Sequence, residues 1–447
     1  MSRNPAPRFH MVSLGCPKNW IDSELVVGSL LQQGYTPVPS PQEAELILVN
    51  TCAFIQEAKE EAIQTVLEMA AWKETGRCKH LVVIGCLPQR YGRELLELMP
   101  EVDLFVGSGE IPRLLGHLSS IEAGGARSCH LSGTRYLLED EGALVRPVMG
   151  PSAYLRLAEG CSNRCSYCAV PLIRGPLRSR SQEAVLEEAR RLAEKGVQEV
   201  ILVAQDTTAF GVDQGGRSRL PELIEALERV EGLRWIRLMY VHPAGVNERL
   251  IETLSRTKKL CPYLDLPVQH ISPRILKEMN RRVGPQEIRG CIDMLREAIP
   301  GIHLRTSIIV GFPGETQEEF LELMDFVRET RFEWLGGFLY SREEGTAASK
   351  LPAQVPKKVA RGRLAKLLRL QKQITTENLE RWVGRETTVL VEKQGRGCLL
   401  ARGSFQAPEI DGAVRIKKGK APLGSFASVR ITAVRGYDLE GVLLSLS

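Results

Sequence analysis

The 447-residue chain has no run of 18 apolar residues, so no membrane-crossing helix is expected. Its opening stretch, MSRNPAPRFH, lacks an apolar core segment and does not read as a secretory signal. Both absences lead to the expectation of a cytoplasmic protein with no membrane partner. Low-complexity tracts are missing, and 43% hydrophobic with 25% charged residues is an ordinary globular composition. Excess charge of one sign is small. A net +5 permits a nucleic-acid or ribosomal partner without requiring one. Histidine is sparse, at seven residues. Cysteine is not: there are eleven. In a reducing compartment that number favours metal binding or catalysis over disulfides.

The length suggests about three domains. The first third alternates strand and helix. FHMVSLGC, AELILVNTC and HLVVIGC read as buried strands, each finishing in a cysteine: Cys16, Cys52 and Cys86. DLFVGSGE reads as a fourth. The stretch NWIDSELVVGSLLQQG has helical spacing, with Asp22 or Ser23 as candidate cap and Gly34 as stop. A second helix, IQEAKEEAIQTVLEMAAWKETG, runs to Gly76. Such βα units predict a doubly wound parallel sheet. In these sheets ligands sit beyond the carboxyl ends of the strands. Any one of the three cysteines alone reads as a small buried hydrophobe. Three at equivalent ends predict a shared ligand site.

Residues 124–150 are Gly-rich and irregular and read as a linker. Beyond them AYLRLAEG, EVILVAQD, RWIRLMY, YLDLPVQH, IHLRTSIIVG and WLGGFLY alternate with helical stretches. Six βα units predict a parallel barrel or partial barrel with its active site at the carboxyl ends. Residues 354–383 are basic and helical, with Lys357, Lys358, Arg361, Arg363, Lys366, Arg369 and Lys372 read as a solvated face. After Arg385 five short strands separated by turns predict a small β-barrel. It carries ten Lys/Arg against six Asp/Glu.

Following the first of the six strands, GCSNRCSYCAVP places Cys161, Cys165 and Cys168 at C-x3-C-x2-C spacing. Three thiolates in eight residues can wrap one metal centre. Structural zinc takes four ligands, and no further Cys or His lies between 169 and 241. Iron–sulfur cubanes are also thiolate-bound. With three protein ligands, one iron is left open to substrate.

That triplet, with Tyr167 before its last cysteine, resembles the cluster motif of radical S-adenosylmethionine enzymes. The whole chain is similar to the methylthiotransferases of that superfamily, and its last sixty or so residues to a TRAM domain. The resemblance implies a methylthiotransferase domain at 1–125, a linker at 126–149, a radical S-adenosylmethionine barrel at 150–355, a basic connector at 356–383 and a TRAM domain at 384–447. It implies two [4Fe-4S] clusters: one on Cys161, Cys165 and Cys168, whose open iron chelates S-adenosylmethionine, and an auxiliary one on Cys16, Cys52 and Cys86. A low-potential cluster supplies the electron that cleaves the sulfonium, giving a radical that abstracts hydrogen from an unactivated carbon. The resemblance further implies cofactor contacts at Tyr167, Gln205, Gly311 and Gly314, with no catalytic side chain beyond the cluster ligands. For Gln205 and neighbouring Asp206, turn chemistry is the plainer reading. An ordinary βα turn is the plainer one for IIVGFPGET. Cys78, Cys129, Cys261, Cys291 and Cys398 match no ligand motif and read as structural.

SLGCPKNWIDSE, AQDTTAFG, YLDLPVQHISPRILKEMNRR, IIVGFPGETQEEF and QAPEIDGAV resemble the branch of the family that modifies an aspartate β-carbon in a protein of the small ribosomal subunit. A tRNA adenosine methylthiotransferase, or a non-catalytic iron–sulfur carrier, is the alternative. The implied partners are that ribosomal protein, an external electron donor and a sulfur source. Ribosomal RNA is a candidate contact of the TRAM domain. Lys18 and His270 are candidate substrate contacts, and the acidic turn at Glu409 and Asp411 a candidate docking point for a basic protein.

Overall fold

Strand Leu46–Thr51 is buried at every position, and the strand beside it, His80–Gly85, at all but its first. Successive side chains of a strand point to opposite faces. Ile47, Val49, Val83 and Phe105 therefore join one core with Ala62 and Val66. Leu48, Val82, Ile84 and Val106 join another with Val26 and Leu30. Two cores on one sheet explain why these strands read as continuous apolar runs.

The computed structural model describes residues 6–133, 137 and 146–446. The chain forms two units. The first comprises Met1–Pro147, Ala158–Arg180 and Ser341–Ser349. Its sheet is parallel, in the order Thr36–Pro37, Arg8–Ser13, Leu46–Thr51, His80–Gly85, Leu104–Gly107, Ser128–His130. The chain leaves Arg8–Ser13 toward one edge and returns to pair on its other side. This makes a switch point, where open α/β sheets bind ligands. Cys16 and Cys52 follow the two strands that flank it.

Two local expectations change. The first helix is Pro17–Gln32, so Asp22 and Ser23 lie inside it and Cys16 occupies the N-cap position. Proline at the first helical position, with φ already fixed, sets that start. The stretch read as a linker carries the edge strand Ser128–His130, paired in parallel with Leu104–Val106. Residues 134–136 and 138–145 of that stretch lie outside the described residues.

The second unit comprises Val148–Leu157, Ser181–Tyr340 and Lys350–Ser447. Its six strands, Ser152–Arg156, Glu199–Val203, Trp235–Leu238, Leu260–Asp265, His303–Val310 and Trp334–Leu339, are parallel and lie in chain order. Helices connect them, as parallel strands require. The sheet does not close on itself, which is the partial-barrel form. The last five strands, Glu386–Gln394, Leu399–Gly403, Val414–Lys418, Phe426–Arg435 and Asp438–Leu446, do close into a barrel. Helix Lys357–Glu380 precedes them. Most of its cations are exposed, but Arg363 is buried and pairs with Glu315 at 2.8 Å, a departure from the solvated-face reading. Among the described residues no helix is long and apolar enough to cross a membrane.

A buried ionic seam joins the closing barrel to the parallel sheet. Glu199, with 0% side-chain exposure, accepts hydrogen bonds from Arg237 Nε at 2.8 Å, Ser152 Oγ at 2.8 Å and both terminal nitrogens of Arg402. Burial alone would raise the Glu199 carboxyl, but Arg402 and Arg237 outweigh it and hold it at about 2. Its stabilisation is complete above the ordinary carboxylate range and is lost as pH falls toward that value. Removing one member of a buried pair leaves uncompensated charge behind. Glu199→Gln is therefore expected to cost ~3–5 kcal/mol near neutral pH, read as a lowered denaturant midpoint. An unchanged midpoint would contradict this role.

The QAPEIDG stretch belongs to the same seam. Gln406 is fully buried and accepts from Gly403 N, Asp411 Oδ2 accepts from Ala407 N, and Asp411 Oδ1 takes an ion pair with Arg305 at 2.7 Å. The Asp411 side chain has no exposure. Asp411 is therefore unavailable to dock a protein, which corrects the expectation for that residue, while Glu409 in the same turn is exposed.

Candidate active site

The residue before Cys16 sets the local geometry. Gly15 adopts φ of 91°, the left-handed region that glycine enters without steric cost. A Cβ there would lie 2.8 Å from Cys52 Cβ and 3.3 Å from its Sγ, so the loop carrying Cys16 passes directly against Cys52. Cys86 opens helix Cys86–Tyr91 immediately after its strand. Cys16 is half-buried; Cys52 and Cys86 are buried.

The three thiols interact electrically. Burial would raise Cys16, but Lys18 and Arg174 more than offset it and hold this thiol below its ordinary value. Burial, reinforced by Cys86 and Cys16, pushes Cys52 up to about 12. Cys86 is also raised by burial, with Arg174 opposing. Arg174 donates to Cys86 Sγ at 3.7 Å, Asn19 Oδ1 at 2.9 Å, Asp22 Oδ2 at 3.0 Å and Glu159 at 3.1 Å. Asn19 ties the site to the backbone, donating to Leu14 O and Thr51 O. Lys18, read as a substrate contact, is buried beside Cys16.

The second triplet lies on the loop after strand Ser152–Arg156. Gly160 has φ of 69°, and a Cβ there would lie 2.0 Å from Pro176 O. Only glycine lets the loop base close on Gly175–Pro176. Cys161 N donates to Gly175 O and Cys168 N to Cys165 O, both at 3.0 Å. Tyr167 is half-buried. The short helix Val170–Arg174 follows and seats Ala169 and Ile173 in one core of the first unit. That seating delivers Arg174 to the Cys16–Cys52–Cys86 site.

In the second unit, Gln205 lies beyond the carboxyl end of Glu199–Val203. Its Oε1 is buried without a hydrogen-bond partner, an orphaned acceptor of the kind a ligand would satisfy. Asp206 is buried and caps a 3₁₀ turn through Thr208 N. Gly311 and Gly314 both have positive φ. A Cβ on Gly311 would lie 2.6 Å from Ala360 Cβ, so that glycine admits the chain's own helix. Glu315 accepts from the Gly311 and Phe312 amides and from Arg363, which fixes the turn. His270 is fully buried, its Nδ1 accepting from Ser272 N at 3.0 Å. Burial pushes it down to about 4.

All eleven cysteines are free of disulfides. Burial pushes Cys78 up to about 11 and Cys261 and Cys291 up to about 12, which keeps them as unreactive thiols. Among the described residues no group of three His, Cys, Asp or Glu side chains is placed to hold a single metal ion. An iron–sulfide cube, wider than one ion, sets its thiolates further apart. The Cys16–Cys52–Cys86 site fits such a group in charge: anionic thiolates around a cationic core, with Lys18 and Arg174 balanced against Asp22 and Glu159.

Three family profiles match: the radical SAM superfamily over residues 155–327, uncharacterized protein family UPF0004 over 8–107, and the TRAM domain over 383–444. The ribosomal protein uS12 methylthiotransferase RimO of Heliobacterium modesticaldum is 46% identical, covering 97% of this chain and 94% of its own. RimO of Geotalea uraniireducens is also 46% identical, over 99% and 100%. The chain belongs to the RimO family. RimO proteins are radical S-adenosylmethionine methylthiotransferases, so the chain is an enzyme that uses S-adenosylmethionine and [4Fe-4S] chemistry. Among solved structures, the radical S-adenosylmethionine methyltransferase TsrM of Kitasatospora setae, with cobalamin and a [4Fe-4S] cluster bound, aligns with a TM-score of 0.55 at 13% identity, covering 88% of this chain and 80% of that one. The cobalamin-dependent enzyme OxsB aligns at 0.51 and 12%, covering 83% and 56%. At such identity these two share the fold alone.

Sequence reasoning missed Arg174, Asn19 and Asp22. One signal was present. Asn19, Asp22, Ser23 and Val26 fall at helical spacing on one face, which puts polar groups where a core-facing stripe should be apolar.

Proposed function

We propose that this chain installs a methylthio group on the β-carbon of an aspartate in ribosomal protein uS12. Cys161, Cys165 and Cys168 hold the cluster that binds S-adenosylmethionine, and Cys16, Cys52 and Cys86 hold the auxiliary cluster. The near full-length similarity to uS12 methylthiotransferases carries the substrate assignment, and it favours a protein over a tRNA target. The meeting of Cys16, Cys52 and Cys86 beside Lys18 and Arg174 supports the second cluster.

When bound, reduced cluster and S-adenosylmethionine supply the carbon-centred radical that removes an unactivated hydrogen. The residues of the chain bind and orient. Gly160 closes the cysteine loop, Asn19 anchors the auxiliary site to two strand ends, and Gln205 offers an acceptor beyond a strand end. Tyr167 precedes Cys168 in the cysteine loop and is a further cofactor contact there. The TRAM barrel, with its basic surface, contacts ribosomal RNA. The electron donor and the sulfur source are external, and the protein works in the cytoplasm.

Anaerobic reconstitution with iron, sulfide, S-adenosylmethionine and reductant, followed by addition of uS12, tests the reading. Methylthiolated uS12 and 5′-deoxyadenosine are the expected products. Methylthiolation of added tRNA instead would overturn the substrate assignment.

A further inference from the structure

The Arg174 guanidinium, with 6% side-chain exposure, is divided among four partners. Nη1 faces both oxygens of Glu159, at 3.2 and 3.1 Å. Nη2 reaches Asn19 Oδ1 at 2.9 Å, Asp22 Oδ2 at 3.0 Å and Cys86 Sγ at 3.7 Å. A cation needed only to neutralise two carboxylates has no cause to touch a thiol. Arginine stays charged at any pH the fold survives, and a buried charge acts across little water.

We infer that Arg174 is a positioning residue that sets the reduction potential of the auxiliary cluster, its charge and its N–H bond to the Cys86 sulfur both favouring the reduced form. The inference rests on Cys16, Cys52 and Cys86 being that cluster's ligands. Cluster potentials follow net charge, hydrogen bonds to sulfur and solvent exposure. Arg174 bears on all three: it brings a positive charge, donates to a ligand sulfur and fills the buried space beside it. Asp22 works against it, since its carboxylate shares Nη2 with Cys86 and neutralises part of the charge. The placement also joins the two cysteine sets along the chain. Arg174 lies on the helix that follows Cys168 and touches Cys86.

The test uses full-length protein carrying Cys161→Ala, Cys165→Ala and Cys168→Ala, so that only the auxiliary cluster assembles. Iron and acid-labile sulfide are counted, and a reductive titration is followed by electron paramagnetic resonance. In this background Arg174→Gln is expected to raise the oxidised-to-reduced ratio at fixed potential by at least about tenfold, about 59 mV for one electron. Asp22→Asn is expected to move the ratio the other way, and Arg174→Lys to fall between Arg174→Gln and the parent. If Arg174→Gln loses its iron, Asp22→Asn and Arg174→Lys still decide. Unshifted titrations in the variants that retain iron would overturn the inference and leave Arg174 a structural strut. Failure of the triple-alanine parent to assemble any cluster would overturn the ligand assignment, and the inference with it.

Discussion

Cys165→Ala is expected to abolish reductive cleavage of S-adenosylmethionine while the auxiliary cluster remains. Cys165 is one of three closely spaced thiols on a loop pinned by Gly160 against Gly175–Pro176 and by the Cys168–Cys165 turn. Its side chain is half-buried and is not among the apolar residues that pack the cores. Its removal therefore costs little stability, and the effect falls on the cluster. With two thiolates left, a four-iron cube loses its protein cage. Iron is expected to fall from about eight to about four per chain, and 5′-deoxyadenosine to the level of protein-free controls. Retention of cleavage would show that another residue completes the triplet.

Cys52→Ala is expected to separate the two chemistries in the opposite sense. Cys52 is buried beyond the end of Leu46–Thr51, against the backbone at Gly15. Losing its sulfur is expected to break the auxiliary site, while the hydrogen bonds of the 158–180 loop do not involve Cys52. The expected protein holds about four irons per chain, still makes 5′-deoxyadenosine, and transfers no methylthio group above background. A side chain this buried also packs, so a small fall in stability of ~1 kcal/mol is expected from the vacated space. Undiminished transfer to uS12 would remove Cys52 from the chemistry.

Much of this was legible in the sequence because it is local or periodic. Strands ending at Ser13, Thr51 and Gly85 announce themselves as apolar runs, and the cysteines after them fall at one end of a parallel sheet by topology alone. The C-x3-C-x2-C spacing needs no structure to be noticed. The closing barrel followed from five short strands and their turns. What escaped was pairing at long range. Glu199 meets Arg402, 203 residues away, and Arg174 meets Asp22, 152 residues away. Neither pair leaves a trace in local periodicity. Asp22 misled for a physical reason: aspartate is a good N-cap, yet Pro17 had already set the helix start and the carboxylate was needed inside for Arg174. Asp411 misled likewise, since an acidic turn on a basic barrel reads as a docking surface until Arg305 is found against it.

That this chain methylthiolates one ribosomal protein is tested most directly by mass spectrometry of cells with and without this gene, with ribosomal proteins and digested tRNA analysed together. Loss of one methylthio group from an aspartate of uS12, with tRNA unchanged, is the expected result. Loss from tRNA with uS12 intact would contradict it.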